Sequence, residues 1–230
     1  MQEQLATLLG YVPSQEPSHR RFQGIIENSG CVFASRSINI SAPRWDTERD
    51  LQFNLRNIRV PLYRFVELSS ELELDGFIIE IPESIAGNNL TKMGGLLHRI
   101  LCDLSEHDPA HEDCMNEEIE SPQWWFKAAG QRVVVLVFAS FYDSTHPRHT
   151  GGLPFSYILL QPIHTFERRA RNEALEVSTE ARERIRAVFA AQGRPYDETI
   201  SLSPFEAYKF LKPMSVGDSP IRWWELNYGD

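Results

Sequence analysis

The sequence predicts an α+β fold: one domain over residues 1–230, with a mixed or largely antiparallel central sheet flanked by helices. Three observations predict it. The run "VVVLVFAS" at 133–140 is nearly continuous apolar sequence, the pattern of a strand buried on both faces, and "FSYILLQPI" at 155–163 makes a similar partner. The segment between them, within "FASFYDSTHPRHTGG" at 138–152, is too short for a helical crossover, so the two strands pair antiparallel. From Leu90, the apolar residues Met93, Leu96, Leu97, Ile100, Leu101 and Leu104 recur at helical spacing and define an amphipathic helix of about four turns.

The remaining elements follow in chain order. Residues 2–10 read as a short helix and 11–21, with Pro13 and Pro17, as an exposed connection, so 1–21 form an N-terminal extension. "NSGCVFASRSINI" places β-branched and aromatic residues after a turn signal, which predicts a strand from Cys31 to Ile40, stopped by Pro43. "IRVPLYRFV" at 58–66 reads as a strand kept at an edge by Pro61, and "GFIIEIP" at 76–82 as a more central one. Residues 105–122 are acidic and broken by proline, the composition of a surface loop without a core of its own. "FERRARNEALEV" and "STEARERIRAVFAAQG" read as helices, the second with Ser178 as N-cap, Ala181, Ile185, Val188 and Phe189 as its apolar stripe, and Gly193 as its stop. The tail after Pro195 is rich in proline and aromatic residues, and no internal repeat is present.

Composition narrows the function classes. A formal net charge of −9 with scattered arginines argues against nucleic acid as the main partner, because phosphate binding needs a concentrated basic surface. Three widely spaced cysteines do not make a secreted disulfide framework, which points to reduced thiols in the cytoplasm. No stretch has the length of a membrane span, and the start lacks a basic region leading into an apolar core.

Three places carry candidate chemistry. His107, His111 and Cys114 have ligand types that suit zinc, but a closed site needs a fourth ligand and Pro109 prevents a regular helix from presenting both imidazoles, so a solvated loop is the preferred reading. Cys31 is a nucleophile only if an electropositive setting lowers its pKa, and otherwise a small buried residue. A Gly-rich phosphate loop, a G-x-S-x-G elbow and H-E-x-x-H are all missing. His146 and His149 follow a buried strand, where connections held by a rigid scaffold often carry function, and His164, three residues beyond Gln161 at the end of the next strand, is expected to lie nearby. The alternative is an ordinary polar loop held by an Arg148–Asp143 salt bridge.

The order "SPQWWF", an apolar strand, "HPRH", "FSYILLQPIHTFE" and a late "VGDSPIRWWE" resembles the YqcI/YcgG family, over about residues 22–224. The matching positions are Trp125 and Phe126, His146 and Arg148, Gln161, Pro162 and Phe166, with Cys31 upstream and Gly217, Asp218 and Trp223 downstream; Ser29 and Gly30 depart from the family's Phe-Pro before the cysteine. The resemblance implies a haem-dependent N-hydroxylase: non-covalent haem b, O2 or peroxide with an electron donor, and an amine or guanidine nitrogen of an amino-acid-like small molecule as substrate. It implies His146 as the axial ligand, with His149, His164 and Cys31 as successive alternatives, and Arg148 as partner of a haem propionate. Trp125, Phe126 and Phe138, with Trp124, are implied as walls of the macrocycle, and Asp143, ahead of Glu80 and Asp218, as the carboxylate facing a guanidinium. A haem-binding or sensing protein without turnover, or a structural protein of the same fold, are the other expectations.

Overall fold

The computed structural model describes residues 2–29, 31, 34–170 and 179–229. Helices α1 (Gln2–Leu9) and α2 (Pro17–Glu27) precede strand β1 (Asn39–Ser41). Then come α3 (Leu51–Leu68), β2 (Gly76–Pro82), α4 (Glu83–Ala86) and α5 (Leu90–Glu106). Strands β3 (Lys127–Ala128), β4 (Gln131–Phe138) and β5 (Phe155–Pro162) follow, and α6 (Ile163–Ala170), α7 (Thr179–Ala191) and α8 (Glu198–Ser201) close the succession.

The strands form one mixed sheet in the order β1-β2-β5-β4-β3, parallel only between β1 and β2, which is the predicted α+β arrangement. The β4–β5 hairpin pairs Val133 with Pro162 and Phe138 with Tyr157, so the 139–154 connection emerges beside the end of β2, where Pro82 pairs with Phe155. Alternation along the strands sends Phe77, Ile79, Val133, Val135, Val137, Ile158 and Leu160 into the main core with α3 and α5. Ile78, Leu136, Phe138, Tyr157 and Leu159 point to the opposite face, where Phe22 and Ile26 of α2 cover them. β4 and β5 are therefore buried on both sides, as their apolar runs predict.

Several expectations are corrected. Residues 58–66 are helical: Asp50 caps α3 by accepting from the Phe53 amide at 2.7 Å, and Leu55, Ile58, Leu62, Phe65 and Val66 make one buried stripe with Pro61 inside the helix. The supposed extension is packed, since Leu5 and Leu9 reach the main core and 17–21 are the first turns of α2. The strand read from Cys31 is confined to Asn39–Ser41, after a 3-10 turn at Ala34–Arg36; Gly30, Val32 and Phe33 lie outside the described residues. Residues 105–122 do have buried parts: Asp108 accepts from the Ala110 and Ala129 amides, and Cys114 is fully buried. Ser178 lies outside the described residues, while Gly193 takes φ +72° just past α7, as its role as a stop requires.

Candidate functional site

Short-range bonds build the β4–β5 connection before it packs. Asp143 Oδ1 accepts from the Thr145 amide at 2.7 Å and from its hydroxyl at 2.6 Å, and the Asp143 carbonyl accepts from the His146 amide at 3.1 Å. The returning chain is tied to the end of β4, where the Ala139 amide donates to the Arg148 carbonyl at 3.2 Å. Asp143 itself stays at the surface, its carboxyl held below the usual range by the bonds from Thr145.

His146 is 8 % exposed and stacks on Tyr142 with ring centroids 3.6 Å apart. Its Nδ1 accepts from the Arg148 amide at 3.1 Å, so the neutral ring carries its proton on Nε2, which donates to the Pro213 carbonyl at 3.2 Å. Burial pushes its pKa down to about 4. Both ring nitrogens are thus engaged by the main chain. The Tyr142 hydroxyl donates to the Lys212 carbonyl, fastening the connection to the 212–213 segment a second time.

Arg148 is 7 % exposed. Its guanidinium lies over Phe138, 4.9 Å from the ring centroid, and 6.0 Å from that of Tyr196. Its Nε has no hydrogen-bond partner, and among the described residues no carboxylate pairs with it, so the Arg148–Asp143 bridge of the polar-loop reading does not form.

Beside this cluster, between α2 and residues 149–153, lies a cleft of about 400 Å3. Arg20, Arg21, Arg194 and His149 line it, with Ile25 and Leu153 as apolar wall, and among the described residues no carboxylate does. His149 Nδ1 accepts from the Gly151 amide at 2.9 Å, and burial followed by the Arg194 charge lowers the imidazole's pKa, which favours the neutral ring. Arg21 donates to both Glu80 carboxylate oxygens, from Nε at 2.7 Å, and its guanidinium lies 4.4 Å above the Phe155 ring. It also lines a smaller cavity of about 190 Å3 with Glu80 and Trp45, so its side chain is the partition between the two. Cys31 is half-buried near Tyr196, whose hydroxyl pKa is raised by burial and lowered in part by the Arg148 and Arg194 charges.

The fold therefore gathers Phe138, Arg148, His149 and Cys31 at one end of the sheet on the α2 face, with His146 packed behind them. It does not bring Trp125, Phe126 or His164 there. Trp125 and Phe126 precede β3, which pairs with the start of β4, and His164 follows the far end of β5, an eight-residue strand that spans roughly 25 Å. The expectation that His164 lies near the connection is corrected: its Nε2 is 3.2 Å from Ser69 Oγ at the opposite end. Phe126 is fully buried in the main core, and Trp125 lies under the Arg132 guanidinium. Asp218 is exposed and accepts from the Ser215 amide at 3.0 Å. Among the described residues no cluster of three or more His, Cys, Asp or Glu side chains is placed to hold a metal ion, His107, His111 and Cys114 included.

Arg20, Arg21, Arg194, Tyr196 and Lys212 escaped the sequence reading. The paired arginines of "SHRRF" and a lysine set among apolar residues in "FLKPM" were the available signals.

The sequence signature of the YqcI/YcgG family matches residues 22–202. No curated protein and no solved structure matches the chain. None of the described helices is long and apolar enough to cross a membrane.

Proposed function

Because the chain belongs to the YqcI/YcgG family, we propose that it is a haem-dependent N-oxygenase of an amine or guanidine nitrogen on an amino-acid-like small molecule, with haem b held non-covalently at the cleft beside α2. The observation that carries the reading is that cleft: in a chain of net charge −9 it gathers three arginines and a half-buried imidazole, with no carboxylate among the described residues that line it. Guanidinium forks match carboxylates in a bidentate geometry, so Arg20 and Arg194 fit the haem propionates, and a neutral imidazole fits iron.

His149 fits the axial position better than His146. Freeing its Nδ1 to carry the proton, so that Nε2 offers a lone pair, costs one hydrogen bond at an exposed glycine amide, about 1 kcal/mol. Freeing His146 breaks two buried hydrogen bonds and a ring stack. Arg148 does not line the cleft, and Trp125 and Phe126 are too distant to wall a macrocycle there, so Ile25 and Leu153 take that part. When bound, haem supplies the activation of peroxide, or of O2 with an external electron donor, and the oxygen passes to the substrate nitrogen.

The chain's own task is to hold that nitrogen and exclude water. Asp143 is committed to Thr145, whereas Glu80 adjoins the cleft through Arg21 and is the carboxylate suited to a guanidinium or ammonium group. Arg21 already fills that carboxylate, which favours a second reading, haem binding or sensing without turnover.

The test is a haem titration of the purified full-length chain. A Soret band at one equivalent of haem is expected, with an altered ferric spectrum in His149→Ala and the wild-type spectrum in His146→Ala. No Soret band at stoichiometric haem overturns both haem readings, and an unaltered spectrum in His149→Ala removes it as ligand. Haem-loaded protein incubated with arginine and simple amines, plus peroxide or a reducing system, is expected to yield hydroxylated nitrogen; no product across the panel favours the non-catalytic reading.

A further inference from the structure

Two cations lie together behind the cleft without an ion pair among the described residues, although Asp197 and Glu206 are close enough to Lys212 to act on its charge. Arg148 and Lys212 are 7 % and 6 % exposed, and among the described residues neither makes an ion pair or a side-chain hydrogen bond. Buried charges are ordinarily paired, because removing an ion from water costs several kcal/mol. The two are held side by side by the fold. The Arg148 amide bonds His146, His146 bonds Pro213, and Tyr142 bonds the Lys212 carbonyl, which fixes the backbone of both cations against one another. The acidic groups near Lys212 have other work: Glu206 pairs with Lys209 at 2.8 Å, and Asp197 accepts from the Ile200 and Gly217 amides at 3.2 and 2.9 Å.

We propose that Arg148 and Lys212 form a binding site for a small oxyanion, the phosphate or carboxylate group of a metabolite. A guanidinium offers a planar fork of donors and an ammonium a point charge, so two or more oxygens on one centre satisfy both. The Arg148 guanidinium lies over the Phe138 and Tyr196 rings, and its buried Nε is a donor without a partner. Burial and then the Arg148 charge pull the Lys212 pKa down to about 7, more than the nearby Asp197 and Glu206 carboxylates offset. This site does not depend on haem.

The experiment uses the haem-free full-length chain, at neutral pH and constant ionic strength. Thermal unfolding and calorimetric titration are followed with potassium phosphate and potassium acetate, and potassium chloride serves as control. Phosphate or acetate is expected to raise the wild-type Tm where chloride does not, and the one that acts identifies phosphate or carboxylate as the group bound. Lys212→Met is expected to unfold at a higher temperature than wild type without anion, because it removes a largely desolvated charge next to the Arg148 guanidinium, and to bind the active anion about 10- to 100-fold more weakly. Arg148→Met is expected to lose the anion response as well; if it does not fold, Lys212→Met carries the test alone. Equal responses to chloride and the oxyanions, an undiminished response in Lys212→Met, or a lower Tm for Lys212→Met without anion would each overturn the proposal.

Discussion

His146 illustrates how a side chain singled out by composition acquires its role from contacts that composition does not contain. A histidine after a buried strand marks a candidate functional position, and the family resemblance implies a ligand there, yet its nitrogens are taken by an amide two residues on and by a carbonyl in the 212–213 segment. The first bond is local and the second spans 67 positions, so no spacing within "HPRH" announces it. Its pKa of about 4, against about 6.5 unfolded, means that the unfolded chain binds the extra proton between those values. Its contribution is therefore fully present above about pH 6.5 and is lost as pH falls towards 4, by up to roughly 3 kcal/mol. Urea unfolding of wild type and His146→Gln across that range checks this: the wild-type stability is expected to fall more steeply, and parallel slopes would show that the ring is accessible to protons in the native state.

At the scale of elements, α2 is the piece on which the site depends. It supplies Arg20 and Arg21 to the cleft and closes the second face of the sheet through Phe22, which meets Phe138 and Tyr157 with ring centroids 5.3 and 5.2 Å apart. Phe22→Ala is expected to cost about 3–5 kcal/mol in chemical denaturation and, on the proposed haem reading, to weaken haem uptake as the Arg20 side of the cleft loosens. Neither α2 nor α3 was legible, for two physical reasons. Pro13 and Pro17 read as breakers, although Pro17 stands at the start of α2, where its missing amide proton costs nothing. "IRVPLYRFV" has the β-branched and aromatic content of a strand, but its apolar residues continue the 3.6-residue stripe begun at Leu55, and burial against the core overrides the intrinsic preference. The hairpin and α5 were legible because their patterns are local and unbroken.

Across the whole molecule, the fold class was readable and the strand order was not. β2 joins β5 across more than seventy positions, and only the finished sheet shows that the ends of β2 and β5 put Glu80 and Phe155 beside the cleft. The C-terminal segment is a second long-range feature. It lies against α5, with Trp223 fully buried and the Leu226 carbonyl 2.9 Å from His98 Nδ1. The pair Gly94–Gly95 permits this approach: a Cβ on Gly94 would come within 2.5 Å of Leu226 Cδ1, and one on Gly95 would overlap the Asn227 carbonyl. Two glycine substitutions in helices should therefore act with opposite signs. Gly24 of α2 has open space where its Cβ would be, so Gly24→Ala is expected to stabilise by about 0.5–1 kcal/mol through helix propensity and reduced chain entropy. Gly95→Ala gains the same propensity but has backbone in its way, and is expected to lower Tm and expose the segment after Trp223 to protease. Thermal unfolding with limited proteolysis of both variants checks the pair, and stabilisation by Gly95→Ala would mean that the segment is not seated on α5 in solution.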